Sequence, residues 1–233
     1  MRYNRSVRHQ VLLTGEVVSW LETCHPQPSE RAAVVARFRF VFALLREFGP
    51  AIGHPHVDRI AGYDNLWEAR VQHRTGAYRA FFGLSGTGAV ILVATEASKK
   101  RDRFPPAVYR RADRGCVRRS SAGSGKGENW VDRPDSLRRL EEVEKAWDAD
   151  PTLRTAYARE VPYAEVAQAI IALRVRHGLS QSEFARRVGK PQPYIARLES
   201  GRANVQVGTL QAFADALGEH LHLHYGEEAA AVG

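Results

Sequence analysis

The sequence predicts an α+β domain, built as an antiparallel sheet with packed helices, followed by a mainly α domain that closes on a short C-terminal strand. Three observations carry this reading. Two helical stretches precede four strand-like runs joined by short turns in the first half. A Ser/Gly-rich stretch near the middle has no periodicity. Beyond it, apolar residues recur at helical spacing almost to the end. The 233 residues suit one large or two modest domains, and 44% hydrophobic content is enough to fill packed cores.

His9–Leu13 reads as a first strand, and Thr14 as the cap of a helix that runs to about Cys24. Ser29 is placed to cap a longer helix to Phe48, with Ala33, Val34, Phe38, Val41, Phe42 and Leu45 on its apolar face. Gly49–Pro50 ends it. Val57–Ala61, Leu66–Gln72, Tyr78–Leu84 and Ala89–Thr95 are strand-like, separated by Asp64–Asn65, Thr75–Gly76 and Gly86–Gly88. Connections this short imply antiparallel pairing. A last helix begins near Pro105 or Pro106 and runs to about Asp113.

The net charge of +8 is unevenly placed. Residues 1–115 hold 18 Lys+Arg against 10 Asp+Glu, whereas residues 116–233 hold 16 of each. A basic first half suits a polyanion partner, most simply nucleic acid, or a solvated basic surface. Its cations gather on and after the sheet: Arg70, His73, Arg74, Arg79, Lys99, Lys100, Arg101 and Arg103, with Tyr109 on the last helix. Guanidinium groups that orient a phosphate and stabilise its developing charge suit cleavage of an RNA phosphodiester. Structural readings stand beside these. Arg79 is equally placed to pair with Glu68, His73 to be a surface histidine, and Tyr109 to pack its helix.

The segments LWEAR, AYRAFF, SKKRDRFPP and AVYRRA, with the order strand, two helices, strands, final helix, resemble the RelE/HigB toxin superfamily, especially its phage-derived Gp49-like branch, over about Val7–Arg114. The resemblance implies a ribosome-dependent mRNA endonuclease, in which an RNA 2′-hydroxyl attacks the adjacent phosphate in line. It implies Arg79 and Arg103 as phosphate ligands, Arg70 and Lys100 as helpers, and Tyr109 as base or stacking group. His73 is a further candidate base.

Arg114–Gly127 reads as a flexible linker. Residues 128–150 then turn acidic, with eight acidic against four basic side chains. Leu137, Leu140, Val143 and Trp147 mark an amphipathic helix over Pro134–Trp147. Its acidic flank suggests docking on the basic first half, either over the cationic groove or on another surface. Asp150–Pro151 opens another helix, to about Arg159.

From Leu179 to Gly201 the chain reads as two short helices joined by a turn. Ser180 with Glu183 fits a capping box. Gly189 permits the turn, because it carries no Cβ. Gln181, Ala185 and Gly189, then Ile195, then Glu199 and Gly201, resemble the helix-turn-helix of Xre/Cro-type repressors over about Tyr163–Tyr225. Before it, Val166, Ile170, Ile171 and Leu173 face inward on a first helix; after it, Thr209 caps a helix ended by Gly218. Major-groove docking of the second helix makes Gln192 a reader of adenine and Arg197 of guanine. Tyr194 is placed to reach a base or the backbone. Gln181, Lys190 and Arg202 are candidate phosphate ligands. Pro191 and Pro193 depart from the family pattern and are expected to shorten or re-aim that helix. The final EHLHLHY reads as a strand with His220, His222 and His224 on one face, paired across a dimer rather than around a metal.

The expected domains are 1–115 (RelE/HigB-like), 116–128 (linker), 129–160 (amphipathic helical segment), 161–226 (helix-turn-helix) and 227–233 (tail). The expected protein is a toxin restrained by its own antitoxin, which represses the operon. Its expected partners are operator DNA, mRNA on the ribosome, the other half in cis or between chains, and a second copy as a homodimer through the C-terminal domain. An alternative is a transcription regulator whose first domain has lost cleavage. No apolar run approaches the roughly 20 residues of a membrane helix, and Met1–Gln10 has no signal-peptide core. Cys24 and Cys116 form neither a disulfide framework nor a zinc motif. The expected location is therefore cytoplasmic, on the nucleoid when repressing, with no metal or cofactor.

Overall fold

The computed structural model describes residues 8–98, 104–121 and 137–223. Strand β1 (Val11–Thr14) leads into helix α1 (Gly15–Thr23), where the Thr14 hydroxyl accepts from the Val17 N–H at 3.3 Å. Helix α2 (Pro28–Phe48) starts one residue before the expected cap, Ser29, which lies inside it. Proline at the first helical position supplies the helical φ without needing a donor, so Gln27 serves as cap with no side-chain bond. A 3₁₀ turn, Gly49–Ile52, follows.

Strands β2 (Val57–Arg59), β3 (Trp67–His73), β4 (Gly76–Leu84) and β5 (Val90–Ser98) form the expected antiparallel meander. β1 lies parallel to β5, with Val11 opposite Val90, so one pair departs from the antiparallel expectation. The α1–α2 crossover supplies the long connection that a parallel pair requires. Helix α3 (Pro106–Ser121) covers one face of the sheet and continues well past Asp113, into the stretch read as linker. Cys116 seats it there: a Cβ at Gly83 would come within 3.0 Å of the Cys116 Sγ.

The sixth strand comes from the second half of the chain. β6 (Leu137–Arg139) pairs antiparallel with β1, Leu13 opposite Arg138, giving the order β2-β3-β4-β5-β1-β6. Leu137 was expected on a helix; that helix, α4 (Leu140–Ala149), begins only after the strand. β1 is buried along its length, and its outer edge needs hydrogen-bond partners that water cannot supply.

Helices α5 (Pro151–Glu160) and α6 (Ala164–Arg176) pack with α4 on the outer side of α2. α2 is therefore buried on two sides, against the sheet and against the second half. Leu140, Val143, Trp147, Val161, Ala167, Ile171 and Val175 join the same core as Val34, Phe38, Val41 and Leu92. Ala32 and Ala36 meet Ala156, small residues that let α2 and α5 approach closely. Carboxylates of α4 and α5 pair with arginines of α2: Arg37 with Glu160 at 2.6 Å, Arg39 with Asp148 at 2.7 Å and Arg46 with Glu144 at 2.5 Å. Charge complementarity thus directs α4 and α5 to α2. The alternative target, the cationic face of the sheet, already carries α3.

α7 (Gln181–Arg187), α8 (Gln192–Glu199) and α9 (Val207–Leu217) complete the chain. Phe184, Ile195, Leu198 and Phe213 form their core with Ile170. Thr209 lies within α9, which starts at Val207 behind Gln206. Residues 219–223 form no strand; in a single chain this segment has no edge to pair with. His224 and Tyr225 lie outside the described residues.

A buried ion pair fixes the second half against the first. Arg174 donates to both carboxylate oxygens of Glu199, at 2.6 and 3.0 Å, to the Ile52 carbonyl at 2.7 Å and to Leu179 O at 3.1 Å. Gln181 donates to the same carboxylate at 2.8 Å. The Glu199 carbonyl accepts from His56 Nε2 at 2.7 Å. Gly201, at φ +70°, continues the seam: a Cβ there would sit 2.5 Å from Val161 Cγ1.

Arg174→Ala leaves Glu199 charged, buried and short of its main partner, so the full chain is expected to lose about 3–5 kcal/mol in urea unfolding; a loss below about 1 kcal/mol would show that the pair is dispensable. Burial lowers the His56 pKa, and the hydrogen bond to Glu199 opposes that only in part. The unfolded imidazole protonates near pH 6.5 while the folded one resists. Stability is therefore complete above about pH 6.5 and declines as the pH falls below it, because the unfolded state then binds more protons. His56→Gln keeps a donor for the carbonyl and should flatten that decline in melting curves taken from pH 7.5 to 5.5.

Candidate functional site

Two surfaces hold the predicted side chains. On the sheet, Arg70 and Arg79 are direct cross-strand partners, and Glu96 stands opposite Arg79 on β5. Alternation along the strands puts them on the α3 face, with Glu68 and Phe81. The two guanidiniums converge on one carboxylate. Arg70 Nε lies 3.3 Å and Arg79 Nε 3.6 Å from Glu68 Oε1, and Arg70 also reaches Asp58 at 3.4 Å. Arg79 is only 1% exposed and donates to the Tyr78 carbonyl at 3.0 Å. Arg70 keeps its head half-exposed. Burial pushes the Glu68 carboxyl above its ordinary value, and the two arginines oppose that.

Tyr109 shares this face. Its ring meets Phe81 edge-on at 5.7 Å, and its hydroxyl accepts from the Phe104 N–H at 3.1 Å. Arg111 of α3 binds the Thr95 carbonyl at 3.2 Å and lies 3.5 Å from Glu96. His73 is not part of the group. It lies on the opposite face, with Nδ1 2.8 Å from the Thr75 hydroxyl and 3.7 Å from Glu30 of α2. Burial and the nearby Arg37 hold its pKa below the ordinary value. Lys100 and Arg103, with Lys99 and Arg101, lie outside the described residues.

The second surface is α8. Ser180 and Glu183 form the expected capping box ahead of α7, with Ser180 N–H to Glu183 Oε2 at 2.8 Å. Gly189, at φ +64°, makes the turn to α8. Pro191 caps α8 without a side-chain bond, and Pro193 occupies its first turn. Ile195, Leu198 and Glu199 face inward, while Lys190, Pro193 and Arg197 are exposed. Tyr194 lies between two cations, Lys190 Nζ at 6.0 Å and the Arg197 guanidinium at 5.7 Å from its ring centre. Gln192 donates to Gln181 Oε1 at 2.7 Å, so its amide is held in a fixed orientation. Gln181 itself is buried and spends its own amide N–H on Glu199, which makes its side chain a brace for Gln192. Arg202 is exposed at the seam between the halves.

Sequence reasoning missed Arg174 as an anchor, and it offered Glu68 as a partner of Arg79 without placing Arg70 on the same carboxylate. Both left a signal. Arg174 follows Ile170 and Ile171 at helical spacing, on the apolar stripe of α6, where a cation needs a buried partner. Glu68 stands two residues before Arg70 on the same strand face. Among the described residues no group of three His, Cys, Asp or Glu side chains could hold a metal ion. His220 and His222 are exposed, and among the described residues no helix is long and apolar enough to cross a membrane.

Comparison with known proteins follows the division of the chain. Residues 29–116 match the family described as phage derived protein Gp49-like, and residues 170–223 match the helix-turn-helix family. Antitoxin HigA1 of Mycobacterium tuberculosis is 33% identical over 81 residues, in strain CDC 1551 / Oshkosh and in strain ATCC 25618 / H37Rv alike. That alignment covers 35% of this chain and 54% of the relative, so the chain spans about half the length of the curated relatives it matches. No solved structure matches the chain.

Proposed function

For a chain that joins a Gp49-like domain of RelE/HigB type to an Xre-type helix-turn-helix domain, we propose a toxin and its antitoxin-repressor in one polypeptide. One observation carries the reading. The second half completes the fold of the first, through β6 and the outer face of α2, while the reading face of α8 stays open to solvent. An antitoxin that holds its toxin and still reads DNA needs this division of surfaces.

The toxin reaction is cleavage of mRNA on the ribosome, by in-line attack of a 2′-hydroxyl on the neighbouring phosphate. Arg70 and Arg79 supply positive charge to the phosphate, with Lys100 and Arg103 from the segment that follows β5. Glu68 keeps the two sheet guanidiniums oriented. Tyr109 lies above the same face as base or stacking group. His73, on the far side of the sheet and held neutral by burial, belongs to packing. Restraint comes from bulk. α4, α5 and α6 pack behind the sheet and block access to the ribosome without filling the α3 face. The fused form is therefore quiet until the halves separate. Operator binding places α8 in the major groove, with Gln192 and Arg197 on base edges and Lys190 and Arg202 on phosphates. A homodimer spanning paired half-sites fits this mode.

Expression of residues 1–121, which retain all of α3, is expected to arrest growth with cleaved mRNA, and Arg79→Ala in that fragment is expected to abolish the arrest. A folded fragment that leaves growth and mRNA unchanged would favour a regulator whose first domain only binds RNA or protein. In the full chain, Arg197→Ala should weaken binding to a specific operator by roughly 10- to 100-fold and relax the preference at one base pair, as loss of a bidentate contact of about 1–3 kcal/mol predicts. Equal loss on random DNA, read by gel shift, would reassign Arg197 to the backbone.

A further inference from the structure

The seam between the halves encloses a cavity of about 280 Å³. β2 pairs with β3 only as far as Ala69, and the cavity lies beside the next residues of β3, under His54 and His56. Arg37, Arg70 and Arg79 line it from the first half, and Ser200 and Arg202 from the second. No carboxylate lines it. Arg37 pairs with Glu160 of the second half, while the heads of Arg70 and Arg79 turn to Glu68 on the α3 face. Among the described residues Arg202 makes no ion pair.

We propose that this cavity is a binding site for a small phosphate-bearing molecule, with Arg37 of one half and Arg202 of the other as its principal ligands. Each guanidinium presents a planar fork that matches phosphate oxygens. Arg37 donates from Nε and Nη2 to Glu160 and from Nη1 to the Gln72 carbonyl, which leaves N–H groups for a further acceptor. Burial lowers the Arg37 pKa, Glu160 opposes that, and the Arg202 charge across the seam adds to the lowering. An anion between the two arginines converts this repulsion into attraction. His54 adds an imidazole to the rim, while the Ser200 hydroxyl donates to the Arg197 carbonyl at 2.6 Å. The volume lies just below the roughly 300–1,000 Å³ of pockets for drug-sized ligands, which suits a phosphate with a sugar attached and excludes a nucleic-acid duplex.

Because each half contributes one arginine, a bound phosphate ties the halves together and stabilises the quiet form by mass action. It also draws Arg202 away from operator phosphates. The site is independent of whether the first domain cleaves RNA.

The test titrates the full chain with inorganic phosphate and, separately, with adenosine 5′-monophosphate at matched ionic strength. It is read by calorimetry and by the thermal unfolding midpoint. Saturable binding of either probe, weakened about tenfold or more by Arg202→Ala and less by Arg202→Lys, is the expected result, in line with loss of one charged hydrogen-bonding partner. Arg202 is exposed, so its loss leaves the fold intact, which unchanged circular dichroism would confirm. Equal affinity for the two probes identifies a bare phosphate site, and tighter binding of the nucleotide identifies a nucleotide site. No saturable binding of either probe, or binding that Arg202→Ala leaves unchanged, overturns the proposal.

Discussion

The two-sided burial of α2 is the constraint on which the rest of the molecule depends. A helix that packs on a sheet needs one apolar stripe; this one carries apolar residues on a second side as well, and that side must also be covered. Ala32, Val35, Ala36, Phe40 and Leu44 are buried in addition to the stripe that faces the sheet. Removing the second half would expose this surface together with the outer edge of β1. The first half is thus a domain with an unfinished back. An antitoxin that finishes it gains hydrophobic contact over the length of a helix and backbone pairing at the edge of a sheet, two interactions that do not depend on the chemistry of the toxin's site.

Hydrophobic contact gives such docking its strength but not its register. Polar groups set that. Three arginines of α2 meet three carboxylates spread over α4 and α5, so sliding the second half along α2 by one helical turn would break all of them together. Arg174 and Glu199 then lock the helix-turn-helix unit in place. A buried ion pair contributes little net stability, since desolvation consumes most of the Coulomb energy. Its value is geometric. The Glu199 carboxylate takes donors from α6 and α7, and its carbonyl takes one from the His54–His56 loop of the first half, so few orientations satisfy all of them. Glu199 also belongs to α8. The residue that seats the second half is on the second helix of the helix-turn-helix, and Gln181 connects it to Gln192 by two hydrogen bonds.

Periodicity made most of the elements legible, because each exterior helix and strand pairs one apolar face with one polar face. α1, the four strands of the meander, α7 and the Gly189 turn fall where the residues placed them. The misses share a cause. Leu137 reads as the first position of a helix, since Leu140, Val143 and Trp147 follow at helical spacing. Only the unpaired edge of β1, far away in sequence, makes it a strand. α3 outruns its expected end at Asp113 because Cys116 fits over Gly83, a contact between segments that no local pattern records. At the candidate site the placement of Arg70 opposite Arg79 was readable from hairpin geometry, and so was the side of the sheet they share. Their convergence on a buried Glu68 was not, because whether a cation on a strand is solvated or paired depends on what covers it. His73 was misgrouped by proximity in sequence, though its strand position, three residues from Arg70, puts it on the opposite face.

The docking surface and the candidate catalytic face lie on opposite sides of one sheet, and that separation shapes how restraint can work. An inhibitor that plugs a site competes with the substrate and must be displaced by it. An inhibitor attached to the back competes only for space around the whole molecule, so free RNA and the inhibitor can be bound together. Under the proposed function, what they would exclude is the confined setting of the ribosome. The arginines of the sheet are assembled on Glu68 with the halves docked, so separation would uncover that cluster instead of building it. Under the proposed function, the open face of α8 would serve DNA while the other surface of the second half holds the first, so repression and restraint would reside in one folded unit.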